Sequence, residues 1–139
     1  MIIAKQDQAI TEFIEDNKII KSIYKGRYNQ NSAIEHIDIV IDFYGKNEVK
    51  GSIIDMSKGY GSFYQLFEYL AKYYYPVALK SGLLAQAYIV SPDLINSALG
   101  QRLGTLSSKY KIESQVFTDV SEGDAWVLAR VTKAASILT

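Results

Sequence analysis

The sequence predicts a single α/β domain, a mixed sheet of about five strands packed with four helices. Two β-rich runs, "QAITEFI" and "KIIKSIYK", are separated only by "EDNK", which calls for a hairpin. From residue 32 onward helical and strand-like patterns alternate, which calls for parallel βα units with helices laid on the sheet. Finally, 139 residues with 48% hydrophobic and 22% charged side chains are one domain's worth of globular chain. The domain is expected to span 1–139, with its core within residues 8–130.

Each element has its own signal. Asp16-Asn17 tolerates positive φ and suits the hairpin turn. In "SAIEHIDIVIDFYGKN", Ser32 and Glu35 form a capping-box pattern, Ile34, Ile37, Ile41 and Tyr44 share a helical face, and Gly45 supplies the stop. "VKGSIIDM" reads as a strand and "SFYQLFEYLAKYYY" as a helix that begins near Ser62 and ends or kinks at Pro76. "LAQAYIV" is an apolar strand of the buried type. The third helix, "SPDLINSALGQRLGTLSSKY", is opened by Ser91 or Asp93 and turns Ile95, Ala98, Leu99, Leu103 and Leu106 inward. "IESQVFTDV" is the last strand, and "SEGDAWVLARVTKAA" the last helix, capped by Ser121.

Composition excludes several classes. Lys plus Arg equals Asp plus Glu, 15 each, so the electrostatic footprint of a non-specific nucleic-acid binder is missing. With no cysteine there is no disulfide framework, thiolate nucleophile or thiolate metal site. "MIIAKQDQ" is too short an apolar run for a signal peptide, and no run is long enough for a membrane span. A cytoplasmic protein is expected.

The element order, the strand "SIIDMS", the stretch "YYYPVALKSGLLAQAYIVSP" and the closing Phe117, Asp119 and Trp126 together resemble the small bacterial STAS-like (SpoIIAA-like) domains, also grouped with SEC14-like domains. In uncharacterised members of that group, a helix reaches a proline, an alanine and a Gly-Leu pair before an apolar strand. Pro76, Ala78, Gly82 and Leu83 match this here, and Gly123 stands where an alanine is usual. The resemblance covers residues 8–130 and rests on packing and turn residues. It implies a mixed sheet covered by helices, in proteins that often bind partners without doing chemistry; some relatives bind nucleotides, lipids or hydrophobic molecules. In the anti-sigma-antagonist branch a serine at the start of the helix equivalent to residues 62–75 is phosphorylated, typically after an aspartate. Ser62 matches by position, and Gly61 replaces the aspartate.

The stretch "MSKGYGSF" allows two physical roles besides that one. Ser62 can cap the helix that follows, or amides freed by Gly59 and Gly61 can hold a phosphate or carboxylate. Dinucleotide and Walker loops are excluded, because Tyr64 occupies the third glycine position and no Gly-Lys-Ser/Thr follows. Asp55 ends a central strand, and ligand sites in open α/β sheets lie beyond the carboxyl ends of strands. The candidate ligand or anion rim is therefore Asp55, Ser57, Lys58, Gly59, Gly61 and Ser62, with Ser91 and Asp119 along the same edge.

Eleven tyrosines are the most unusual compositional feature, five of them within residues 64–75. Phe63, Phe67, Leu70 and Tyr74 share the face expected to meet the sheet. Tyr64, Tyr69, Tyr73 and Tyr75 flank it and are the candidate interface, because rings with a polar tip suit contact surfaces. The alternative is packing of those tyrosines within the domain. His36, the sole histidine, is expected on the surface or partly packed, and Glu35, Asp38 and Asp42 form a solvated face.

No catalytic constellation, cofactor or metal is expected. The function these residues point to is a non-enzymatic binding or regulatory module, homodimeric, acting by protein–protein recognition. The alternative is a protein that holds an apolar or acyl-type small molecule between the Tyr-rich helix, the sheet and the next helix.

Overall fold

The computed structural model describes residues 1–61, 63–95, 98–105 and 110–138, of which the side chains at 64, 95, 98–100, 104 and 134–138 are not described. Six strands make one mixed sheet in sequence order: β1 (Ile2–Gln6), β2 (Ala9–Ile14), β3 (Ile19–Arg27), β4 (Gly51–Tyr60), β5 (Ala85–Ile89) and β6 (Glu113–Phe117). β1, β2 and β3 pair antiparallel, and β3 through β6 pair parallel. The α/β class with an opening hairpin and parallel βα units is therefore present, with six strands in place of about five. The additional strand is β1, joined to β2 by the two-residue turn Asp7-Gln8.

The β2–β3 hairpin forms where expected, but positive φ falls on Lys18 (57°), just after Asp16-Asn17. Helix α1 (Gln30–Lys46) is capped by Asn29, whose Oδ1 accepts the amide of Ser32 at 3.0 Å, so the Ser32/Glu35 capping box is not used. It also runs through Gly45 to Lys46. The expected long helix after β4 is three pieces: α2 (Tyr64–Tyr69), one π-helical turn (Leu70–Tyr74) and α3 (Tyr75–Ser81), which Gly82 ends at φ 109°. The third helix is α4 (Pro92–Ile95) and α5 (Ala98–Thr105). Its Leu103 is buried as expected, while Ile95, Ala98, Leu99 and Leu106 lie outside the described side chains. Helix α6 (Val120–Leu138) is capped by Asp119, whose Oδ1 accepts the amide of Ser121 at 2.8 Å, and not by Ser121 itself.

The π turn follows from Pro76. A proline has no amide to donate, and its ring clashes with a carbonyl four residues back in a regular helix. Widening the turn so that the amide of Tyr75 reaches the carbonyl of Leu70 removes the clash without ending the helix. The extra residue rotates everything after it by about 100° around the axis. Tyr75 thereby lands inside, beside Tyr74, and not on the flank.

The helices sort onto two faces. The larger core lies between the α1, α2–α3 and α5 side and the residues Phe13, Ile20, Met56 and Tyr88 of the sheet. On the opposite face α6 covers Ile53, Ala87 and Ile89 with Val127 and Val131. This second contact is close at two glycines. A Cβ on Gly51 would stand 2.5 Å from Val127 Cγ1, and one on Gly123 would stand 2.3 Å from Ile89 Cδ1. No described helix is long and apolar enough to cross a membrane.

Candidate functional site

A cleft of about 480 Å³ opens at the carboxyl ends of β3 and β4, the edge where open α/β sheets place their ligand sites. Its walls are the β1–β2 turn (Gln6 and Gln8), the end of β3 (Tyr24 and Tyr28) and the first turns of α1 (Asn29, Ser32 and Glu35). Gly59 and Phe63 close the floor. Gly26 (φ 85°) bends the end of β3, and its missing Cβ leaves Gln8 Nε2 3.4 Å from the position a side chain would take. Gly26 pairs with Gly59 across β3 and β4, so two residues without side chains sit side by side at this rim.

The polar wall is held by a buried chain of hydrogen bonds. Gln6 Oε1 accepts from His36 Nδ1, which leaves Nε2 as the acceptor. Thr11 Oγ1 donates to that nitrogen at 2.6 Å and in turn accepts from Ser22 Oγ at 2.7 Å. His36 is fully buried, contrary to the expectation of a surface or partly packed histidine, and the ring of Tyr24 meets it edge-on at 5.5 Å. Burial pushes its pKa down to about 4, so at neutral pH it is uncharged. His36 thus positions Gln6 and does not face the cleft as a charge.

Behind the cleft, Tyr28 and Phe63 meet at 5.1 Å and separate it from a small interior space of about 30 Å³. Tyr24 lines both spaces as well. The hydroxyl of Tyr28 is buried without a hydrogen-bond partner among the described residues, and burial raises its pKa. Deeper in, buried polar side chains bond one another. Tyr74 Oη lies 2.7 Å from Tyr44 Oη, 3.2 Å from Ser52 Oγ and 2.9 Å from Gln86 Oε1.

Of the described members of the predicted rim, Gly59 lines the cleft. The expected glycine turn is strand as far as Tyr60, since Lys58, Gly59 and Tyr60 pair with Lys25, Gly26 and Arg27. Asp55 falls at a bulge, where Met56 and Ser57 stand against Tyr24 alone. It is buried, and its Oδ1 accepts from the amide of Ser57 at 3.0 Å and from Ser57 Oγ at 2.6 Å. Its strand position puts it with Gly51 and Ile53 on the α6 face, away from the cleft. Lys58 is exposed, and Gly61 makes the turn at φ 105°. Ser62 lies outside the described residues. Phe63 stands at the N-cap position of α2, and no described side chain caps that helix.

The tyrosine surface is smaller than expected. Tyr75 is completely buried and its hydroxyl bonds that of Tyr88, which removes it from any interface. The side chain of Tyr64 lies outside the described residues. Tyr69 and Tyr73 do stand together at the surface, with ring centroids 4.7 Å apart, Tyr73 45% exposed and Lys72 Nζ 5.2 Å over its ring. Tyr69 donates to Asp38 on α1, which pushes its pKa up to about 12.

Sequence reasoning missed Gln6, Gln8, Tyr24, Tyr28 and Asn29. The available signal was "YKGRYN": a glycine between two tyrosines at the end of a β-rich run marks a bend where a backbone is approached closely. No protein-family model matches this chain, and no curated protein matches it.

Proposed function

We propose that this chain is a binding or regulatory module of the STAS-like, SpoIIAA-like type, cytoplasmic and homodimeric, which acts by protein–protein recognition and carries out no chemistry. The observation that carries this reading is the contrast between interior and exterior. The space between sheet and helices is about 30 Å³, room for one water molecule, whereas the cleft outside it is about 480 Å³. Ligand sites fall in the range of about 300–1,000 Å³. Recognition is therefore read as taking place on the outside, at the cleft and at the neighbouring Tyr69–Tyr73 pair. Rigid aromatic rings with polar tips give large contact area at low entropic cost.

The second reading, an apolar or acyl-type ligand held inside, is favoured by one observation: Tyr24, Tyr28 and Phe63 line both spaces. A swing of the Phe63 ring would join them.

Native mass spectrometry of the gently purified protein tests both. A dimer without added mass is the expected result, and Tyr69→Glu with Tyr73→Glu should convert it to a folded monomer. A wild-type monomer overturns the dimer, and a double variant that stays dimeric moves the interface elsewhere. A reproducible extra small mass, lost on denaturation, makes the second reading the right one.

A further inference from the structure

The two faces of the sheet are unequally covered. Helices α1, α2–α3 and α5 close the larger core on one face, whereas on the other α6 lies over β4, β5 and β6. Among the described residues no helix covers β1, β2 and the outer half of β3 on the α6 side. The strip left bare is apolar. Phe13 and Ile20 point into the larger core and Ile19 toward α6, so alternation turns Ile10, Ile14 and Ile23 to the α6 side. None of these belongs to either core, and Ile14 is 40% exposed. Ile2, level with Glu12, adds a side chain 57% exposed. Leu128, 43% exposed, borders the strip, because it follows Asp124 by one turn and Asp124 bonds Lys21 of β3. The crest of α6, opposite Val127 and Val131, carries Ala125, Ala129 and Thr132. All are exposed, on a face where a solvated helix is normally charged.

We propose that this half-bare face seats a second copy of the chain, whose α6 lies in the trough beside the first. A ridge next to a trough of the same width is self-complementary under a two-fold axis parallel to the strands. From α6 to β1 is about three strand spacings, or about 14 Å, and packed helices stand about 10 Å apart. The small crest of one copy then meets the isoleucine floor of the other at close range. Such an axis keeps every residue at its own level along the strands, which fixes the charges that meet. Gly123 stands on Ile89, and the ladder runs level from Ile89 through Asp55, Ile23 and Ile10 to Lys5. Glu122 therefore meets Lys5 of the other copy. Val131 stands on Gly51, level with Ile19 and Ile14, so Lys133 meets the hairpin tip, where Glu15 and Asp16 outnumber Lys18. Lys5, Glu15, Asp16, Glu122 and Lys133 are exposed and form no ion pair with a described residue. Glu12, within the floor, has Lys21 opposite it in the ladder. Each end of the ridge thus faces the opposite sign, which sets the register of the pair.

A contact about four strand spacings wide and six residues long buries about 1,000 Å² over the two copies, the low end for specific association. It forms at higher concentration than the dimer proposed above, and Tyr69, packed on the larger core, lies on the opposite side of the sheet, so both contacts fit in one assembly. The proposal extends the self-association in that reading but does not depend on the tyrosine pair. The test is sedimentation velocity of the full chain from about 10 μM to about 1 mM. The wild type should grow from dimer to larger assemblies. Ala125→Arg with Ala129→Arg, at exposed helical positions, should keep the wild-type circular dichroism and stop at the dimer. Lys5→Glu and Glu122→Lys should each weaken the larger assembly about tenfold, and the two together should restore it. A wild-type dimer that the arginine pair dissolves and Tyr69→Glu with Tyr73→Glu leaves intact keeps this contact and removes the tyrosine one. Association that is indifferent to the arginine pair, or a charge swap that restores nothing, overturns the proposal. A chain that never associates overturns it as well and leaves the strip to a different protein.

Discussion

The hydroxyl of Tyr110 donates to the carbonyl of Ala71 at 2.6 Å. That carbonyl lost its helical donor when the amide of Tyr75 turned back to Leu70 and Pro76 brought none. Tyr110, whose ring also stacks on Tyr75 at 5.8 Å, supplies from the β6 side the bond that the proline removed. Tyr110→Phe should therefore destabilise the protein by about 1 kcal/mol. In a Pro76→Ala background the chain regains an amide that can serve Ala71 or Lys72, so the same substitution should have a smaller effect. Urea unfolding of the two single variants and the double variant measures the coupling. Equal losses in both backgrounds would show that Tyr110 does not compensate for the proline.

The two glycines between α6 and the sheet are expected to differ in their tolerance. A Cβ on Gly51 is confronted by Val127 Cγ1 at 2.5 Å, Val131 Cγ2 at 3.0 Å and Ile19 Cγ1 at 3.3 Å. Valine in a helix has essentially one rotamer, so these atoms cannot turn away. Gly51→Ala should lower stability by about 2–3 kcal/mol. At Gly123 the close atom is the far end of Ile89, and alanine recovers about 1 kcal/mol of helix propensity. Gly123→Ala should then be close to neutral when combined with Ile89→Val, which deletes the clashing methyl. Thermal unfolding of the three variants decides it. If Gly51→Ala proves harmless, α6 lies farther from the sheet than described.

These same positions mark what can be read from the chain. Period and turn chemistry reveal the β2–β3 hairpin, α1 and the helix covering β4, because long apolar faces in Phe63, Phe67, Leu70 and Tyr74 dominate any local conflict. β1 escapes such reading. "IIAKQ" is short, and what orders it is its pairing with β2 together with the distant α1, whose His36 bonds Gln6. Ser57–Tyr60 has poor strand propensity, and its pairing with Lys25–Arg27 holds it extended. Tyr75 is misassigned by helical period alone because the period changes at the π turn, for which Pro76 was the visible cause. The cleft was legible only as an edge. Its side chains come from a hairpin tip, a strand end and a helix start that are adjacent only after folding.

Tyr74 should prove the more critical member of the buried tyrosine pair. Gln86 Oε1 can only accept, so the single proton of Tyr74 goes to it at 2.9 Å, and Tyr44 donates to Tyr74 at 2.7 Å. Tyr74→Phe leaves the fully buried Gln86 oxygen without that donor, at a cost of about 2 kcal/mol. Tyr44→Phe removes a donor from an oxygen that keeps other neighbours, and should cost nearer about 1 kcal/mol. Chemical denaturation of both variants orders them. A larger loss for Tyr44→Phe would mean that the protons run in the opposite direction.

The buried His36 gives the fold a pH dependence of definite sign. Its pKa is lowered from the ordinary 6.5 to about 4 by burial, so the folded state favours the neutral ring. Protonation would also place a hydrogen on Nε2, where Thr11 now donates. The stabilisation contributed by the neutral ring is complete above the unfolded value of 6.5 and is lost as pH falls through that value toward about 4. The loss should reach about 3 kcal/mol across that window. His36→Gln keeps a donor and an acceptor at the site but cannot titrate. It should be less stable than the wild type at pH 7, and the gap should narrow steadily on acidification. Urea unfolding of both proteins at half-unit intervals measures that gap directly, because carboxylate titrations common to the two cancel. A gap that stays constant with pH would mean that His36 takes up its proton in the folded protein as readily as in the unfolded chain, and that the hydrogen bonds to Thr11 and Gln6 do not hold it neutral.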